Sequence, residues 1–421
     1  RDALRALAES FATISFRPEL NQYTNCNCEV PVRTELRPWR VIGEIGWTGG
    51  SMLAYPFELA EHLLPGTKLP KSGARLFDEI CTGWNERSGL LLDNVLNRYT
   101  TNRPEGWNNS ELNGWWSGYI GTRDNHCAYT NAHAAYYLLR TAERRRQWGL
   151  RVDPNWEQTA LRVLSTAIEL QREDGAFGYI FSGSERKVLD FNGFAGCWFA
   201  AALPMAFRLT GETHFRDSAE RAIEYYATFV RDLAAWGSPM DTCYSIDSEG
   251  NLAFIRAARL MHEATRDDHY LALLRDGAHY EYLWRYGFRS RPVCAPLGGS
   301  PWNSCGGSIT SVSNPHMHPM SVVVTADLEY LARHTAQQYH QDRADDGIAW
   351  LLNTMELYPD VMGYGRYGVL SERTCPSDGL LRERYRDTGL PASTWWSYNA
   401  WAGGSAMEAL AERLLMQEGT R

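Results

Sequence analysis

Four carboxylates sit in segments rich in glycine and aromatic residues. They are Glu44 between Gly43 and the Trp47 turn, Asp124 after Thr122-Arg123, Asp190 before Phe191-Asn192-Gly193, and Asp241 before Thr242-Cys243-Tyr244. Carboxyl groups held on either side of a glycosidic oxygen can split that bond, one as proton donor and the other as base or nucleophile. Each Asp also stands a few residues ahead of a helix, where capping the free N–H groups is its ordinary task. The two readings stay open for each residue. Asp124, Asp190, Asp241 and Glu44 are nonetheless the catalytic candidates.

Around them lie groups suited to a hydroxylated ligand. Trp47, Trp115, Trp116, Trp395, Tyr244 and Tyr398 offer faces for the C–H side of a sugar, and His126, Asn314 and Asp174 offer hydrogen bonds. Asp174 follows an outer helix and also serves to fix its own loop. Arg123 can clamp a carboxylate in bidentate fashion, which points to a uronic acid. His316 and His318 flank Met317 after Asn314-Pro315, and either bind such a carboxylate or move protons. As metal ligands they lack a partner set, and Cys26-x-Cys28 lacks zinc-site spacing. No metal and no cofactor is expected.

What must position these residues is a set of helices. Apolar periodicity near 3.6 runs through Arg1–Phe11 and through residues 55–64, 74–86, 126–147, 153–172, 192–210, 213–234, 250–266, 269–286, 316–336, 340–357 and 395–416, with almost no period-two alternation. These make twelve helices in six antiparallel pairs. Asp153-Pro154 and Thr210-Gly211-Glu212 are short links within pairs, one an N-cap with proline at the first helical position, the other a glycine stop. Helices after long loops begin near 55, 126, 192, 250, 316 and 395, a loose repeat of one hairpin. A hairpin cannot bury its apolar face alone. Six of them close most economically into an all-α (α/α)6 barrel, or toroid, in one domain over residues 1–421. The chemistry-bearing loops each precede an inner helix, so the ring brings them to one mouth.

The repeated hairpins, the segment from Gln171 through Asp174-Gly175-Ala176-Phe177-Gly178-Tyr179, and the Asp-bearing loops resemble the six-hairpin glycosidases. Among these the chain is most similar to the uronate-active groups: unsaturated glucuronyl and rhamnogalacturonyl hydrolases and related β-glucuronidases. Thr122-Arg123-Asp124 through Tyr137 matches their placing of an Asp ahead of an inner helix. The resemblance implies an exo-acting glycoside hydrolase that removes a terminal uronic acid from an oligo- or polysaccharide. Three rivals remain: a sugar 2-epimerase or isomerase using His316 or His318, a polysaccharide lyase, and a non-catalytic carbohydrate-binding protein.

Composition narrows the field. The 421 residues are 44% hydrophobic and 22% charged, which is globular. With 42 Lys+Arg against 50 Asp+Glu the net charge is −8, which argues against a nucleic-acid partner. The run Cys197–Phe207 is too short to span a bilayer and contains Pro204, so no membrane role is expected. Arg outnumbers Lys 39 to 3, the mark of a GC-rich bacterial genome. Arg1 without a preceding Met leaves the compartment open: secreted or periplasmic if a leader was removed, otherwise cytoplasmic. The oligomeric state is not legible.

Overall fold

The structure is a computed structural model that describes residues 1–27, 37–41, 50–93, 109, 125–237, 245–312, 316–358, 367–375, 384, 388–395 and 397–419. Contacts divide the chain into two units, one of Arg1–Ile42, Pro56–Gly73 and Tyr282–Arg421, the other of Gly43–Tyr55 and Ala74–Glu281. The first is called unit 1 and the second unit 2.

Twelve α-helices are present among the described residues: α1 Asp2–Ser10, α2 Gly50–Leu63, α3 Gly73–Cys81, α4 Ala128–Gln147, α5 Pro154–Glu169, α6 Cys197–Thr210, α7 Thr213–Arg231, α8 Glu249–Thr265, α9 Asp268–Tyr282, α10 Thr325–Thr335, α11 Gln338–Thr354 and α12 Ala400–Gly419. Burial separates them into two kinds. In α4 every residue from Ala128 to Ala142 is buried, and so is every one from Cys197 to Ala206 in α6 and from Thr325 to Ala332 in α10. Helices covered on all sides belong to the interior. By contrast α5 buries only a stripe, Trp156, Thr159, Ala160, Val163, Leu164, Thr166 and Ala167, at the spacing of one helical face. α7 and α11 do likewise. Inner and outer helices therefore alternate, as the hairpin repeat requires. In unit 2, α6 packs on inner neighbours α4 and α8 and on its own outer partner α7.

Helix starts differ from the periodicity-based bounds in both directions: α2 opens earlier, at Gly50, while four others open later. Residues 126–127, 192–196, 316–324 and 395–399 precede their helices instead of opening them. His126–Cys127 pairs with Ile180–Phe181, which pairs in turn with Val188–Asp190, a three-stranded ladder in unit 2. In unit 1, Ser308–Ile309, Met317–His318, Arg373–Thr374 and Thr394–Trp395 form a four-stranded ladder. Gln22–Asn27 pairs with Phe16–Arg17, Arg37–Val41 and Ser397–Tyr398. Most of these strands are two residues long, so no alternation could show in the sequence. After His318 the chain takes a 3-10 turn, Pro319–Val324, before α10. Pro319 and the β-branched run Val322-Val323-Val324 explain the tighter winding.

The Gln171–Tyr179 segment proves to be architectural. The Gln171 side-chain amide donates to Gly175 O at 2.9 Å and to Ser218 O at 3.2 Å, while its oxygen accepts from Ser218 and Arg221, each at 2.8 Å. Gly175 has φ +98°, and a Cβ there would lie 2.1 Å from Arg221 O. Only glycine fits that approach. Phe177 is buried against Phe199, ring centroids 5.3 Å apart. The motif clips the loop after α5 to α7.

Candidate active site

In unit 1 the ladder sets Met317 opposite Thr374. His316 and His318, one residue to either side of Met317, therefore project from the same face of the strand. Both are buried, with ring centroids 6.1 Å apart. Arg373 lies on the neighbouring strand and Glu372 immediately before it. Glu372 Oε1 lies 4.0 Å from His318 Nε2 and 3.9 Å from Arg373 Nε. The His318 Nδ1 atom accepts the Met320 N–H at 3.0 Å and so caps the 3-10 turn. Trp401, in the first turn of α12, brings its indole N–H against His318 Nε2. Thr310 Oγ1 stands 3.4 Å from His316 Nε2.

Both imidazoles are held well below their ordinary protonation range. Burial is the main cause for each; Arg373 adds to it at His316, and His316 and Arg373 add to it at His318. Geometry explains the direction at His318. Two N–H donors converge on a ring that has one lone pair when neutral and none when charged. At neutral pH both rings are thus free bases, beside a buried carboxylate that can support a transient imidazolium and a guanidinium that can stabilise an oxyanion. This set can take a proton from carbon and return it.

Unit 2 carries a second polar centre in the N-terminal halves of inner helices. Tyr129 and His133 lie on α4, Trp198 on α6, Glu249 and Arg256 on α8, and all are buried. Tyr129 OH donates to Glu249 Oε2 at 3.4 Å, and Arg256 Nη1 donates to Tyr137 OH at 3.4 Å. The Arg256 guanidinium stands 5.2 Å from the Tyr136 ring and 5.7 Å from the Trp198 ring. Asp247, also buried, accepts the Glu249 N–H at 2.7 Å. Ionised groups enclosed among aromatics are costly unless they serve packing specificity or function.

The sequence candidates are distributed as follows. Asp124, Asp241, Glu44, Trp47, Trp115, Trp116, Arg123, Tyr244 and Asn314 lie outside the described residues. Asp190 is buried at the end of its strand, and its carboxylate accepts the Asn192 N–H at 2.8 Å, a local turn contact. Asp174 is largely exposed; it pairs with Arg172 at 2.7 Å and accepts the Ala176 N–H at 3.2 Å, which commits it to its loop. His126 is fully buried with Ser88 Oγ 2.8 Å from Nε2, and burial pulls its pKa down to about 4. Tyr398 is buried against Phe11, with its hydroxyl on Ser10. The backbone of Trp395 pairs with Arg373. Only His316 and His318 are brought together with further reactive groups among the described candidates.

Sequence reasoning missed Glu372, Arg373, Trp401, His133, Glu249 and Arg256. One of these had a usable signal. Arg256 interrupts the buried run Leu252-Ala253-Phe254-Ile255 and Ala257-Ala258, a charge where the helix is apolar on every side. Glu249, first in its helix, looks like an ordinary dipole partner. The pair Glu372-Arg373 falls in a segment with no periodicity.

Among the described residues no group of three or more His, Cys, Asp or Glu is placed to hold a metal ion, and no helix is long and apolar enough to cross a membrane. No protein-family model and no curated relative matches the chain. Solved structures do. A D-mannose isomerase aligns over 98% of this chain and 97% of its own at 12% identity, TM-score 0.64. An unsaturated glucuronyl hydrolase specific for heparin aligns over 99% and 96% at 11% identity, TM-score 0.58. A family 76 α-mannanase of Bacteroides thetaiotaomicron gives 99% and 96% at 11% identity, TM-score 0.58. Likeness at such identities speaks to fold alone, and the fold is an all-α (α/α)6 barrel of six helical hairpins.

Proposed function

We propose that the protein is a carbohydrate-active enzyme, one catalytic domain acting on a sugar by proton transfer at the carbon beside a carbonyl, as a sugar isomerase or 2-epimerase. The observation that carries this reading is the pair of neutral, buried imidazoles at His316 and His318, flanked by Glu372 and Arg373. A base that is already deprotonated at neutral pH, a second one beside it, a carboxylate and an oxyanion donor are the parts that an enediol-type step needs. Likeness in fold to a D-mannose isomerase agrees with it.

Exo-hydrolysis of a terminal uronide, β-glucuronidase-like, is the second reading. It is favoured by the buried carboxylates Asp247 and Glu249 at the start of α8, and by the likeness in fold to an unsaturated glucuronyl hydrolase. Here the substrate is an oligo- or polysaccharide. One assay separates the two. Aldoses and ketoses, with D-mannose and D-glucuronate among them, are incubated in deuterated water alongside aryl β-glucuronides and unsaturated disaccharides. Deuterium at the carbon beside the carbonyl, lost in His316→Asn, supports proton transfer. Release of the aryl group with no deuterium in any sugar sinks it and favours hydrolysis.

A further inference from the structure

Among the described residues, two of the buried polar atoms in unit 2 that lack a hydrogen-bond partner stand on neighbouring rings: Nε2 of His133 and the indole Nε1 of Trp198. They belong to rings in contact, centroids 4.1 Å apart and planes at 67°, on adjacent inner helices α4 and α6. His133 is 2% exposed and Trp198 1%. Leaving such groups unpaired costs about 1–3 kcal/mol each, so two side by side in one place call for a partner. The indole N–H can only donate. The His133 ring is held neutral, by burial and then by Arg256, so it keeps a lone pair. One group answers both in either tautomer: a hydroxyl oxygen accepts from Trp198 and either donates to the imidazole Nε2 or accepts from it. A cation offers no acceptor to the indole.

We infer that His133 and Trp198 form a hydroxyl-recognition point for a polyhydroxylated ligand, with Tyr129, hydrogen-bonded to Glu249, beside the His133 ring at a centroid distance of 4.3 Å as a further hydroxyl partner. A bound water could supply the same hydroxyl chemistry, and the experiment must tell the two sources apart. The inference rests on the reading that this barrel handles saccharides, but not on which reaction follows. It assigns binding to unit 2 residues that the proton-transfer step in unit 1 does not use.

The test is binding of D-mannose and D-glucuronate to the full chain, read by tryptophan fluorescence and calorimetry, with turnover followed separately. His133→Phe keeps the ring packing and deletes the nitrogens; Trp198→Phe deletes the indole N–H. Roughly tenfold weaker binding of at least one sugar in both variants, with melting temperatures near that of the wild type, is the expected result. Should either variant fail to fold, His133→Gln, which retains a polar atom, is compared with Tyr129→Phe on the same readout; weaker binding in Tyr129→Phe alone supports the inference. Wild-type binding that no variant weakens overturns it in favour of a bound water or ring packing only, and so does absence of sugar binding in the wild type. Binding that the variants weaken, in a wild type that shows no deuterium exchange, retains the inference and removes the isomerase reading instead.

Discussion

The two polar centres are built on different scaffolds. In unit 2 the reactive side chains stand in the N-terminal halves of α4, α6 and α8, and His133, Trp198 and Arg256 are wedged among Tyr129, Tyr136 and Tyr137. In unit 1 they stand on a ladder of two-residue strands, and His318 doubles as a cap for the turn that follows. A helix holds side chains by packing on all sides, which suits recognition by fixed hydrogen bonds. A short ladder holds them by a few backbone bonds and adds carboxylate and guanidinium groups from a neighbouring segment, which suits proton transfer.

The widest test of that contrast is kinetic. His316→Asn and His318→Asn should lower turnover by about 10²–10⁴-fold with KM little changed, the range expected for loss of an acid–base group. Glu249→Gln should chiefly raise KM. If the His variants change only KM, the roles of the two centres are exchanged.

Acid should act on both units in the same direction. His126 and His133 in unit 2 and His316 and His318 in unit 1 all have lowered values in the folded state. Their stabilising share is complete above the unfolded value near 6.5 and fades as pH falls toward the folded one. For His126 alone, with its value at about 4, the loss over that window is about 3 kcal/mol. Melting followed from pH 7.5 to 4.5 should show the midpoint falling below pH 6.5; a midpoint that climbs on acidification would contradict burial of neutral imidazoles.

A third test concerns unit 2 only. At the far ends of its inner helices runs an ionic chain: Arg140 to Glu143 at 2.8 Å, Glu143 to Arg208 at 2.7 Å, Arg208 to Glu263 at 3.5 Å and Glu263 to Arg259 at 3.0 Å. Burial opposes the charge on Glu143, yet Arg140 and Arg208 outweigh it and hold the carboxyl below its usual range. Glu143→Gln should cost about 1–3 kcal/mol by removing the carboxylate that Arg140 and Arg208 share, and should leave turnover unchanged. Chemical denaturation and the deuterium-exchange assay on one preparation check both halves. The smallest effect belongs to the outer layer. Asp153 caps α5 through the Asn155 N–H at 2.9 Å, and Asp153→Ala should cost about 1 kcal/mol in the same denaturation experiment.

Much of the barrel was legible because helical burial leaves a periodic trace. The caps at Asp153-Pro154 and Gly211 stand where the pattern places them, Gly211 with φ +74°. The periodicity places helix starts too early at 126, 192, 316 and 395, and at 126, 316 and 395 the reason is a two-residue strand that leaves no alternation to read. The candidate site was legible only in the choice of His316 and His318; that they share a strand face was not, because the periodicity carries the helix back to 316. Asp174 shows the opposite case, a carboxylate in a conspicuous motif that closes on Arg172 of its own loop.

By itself the sequence determined the hairpins, since a stripe of apolar residues at 3.6 spacing has few ways to leave water. It also determined that His316 and His318 travel together. Which carboxylate and which guanidinium meet them, Glu372 and Arg373 from more than fifty positions further on, was settled only when the ladder paired Met317 with Thr374. The same holds for His133, Trp198 and Arg256, drawn from three helices. Local pattern fixes an element because its hydrogen bonds are local. A reactive cluster depends on packing between distant elements, and no single segment carries that information.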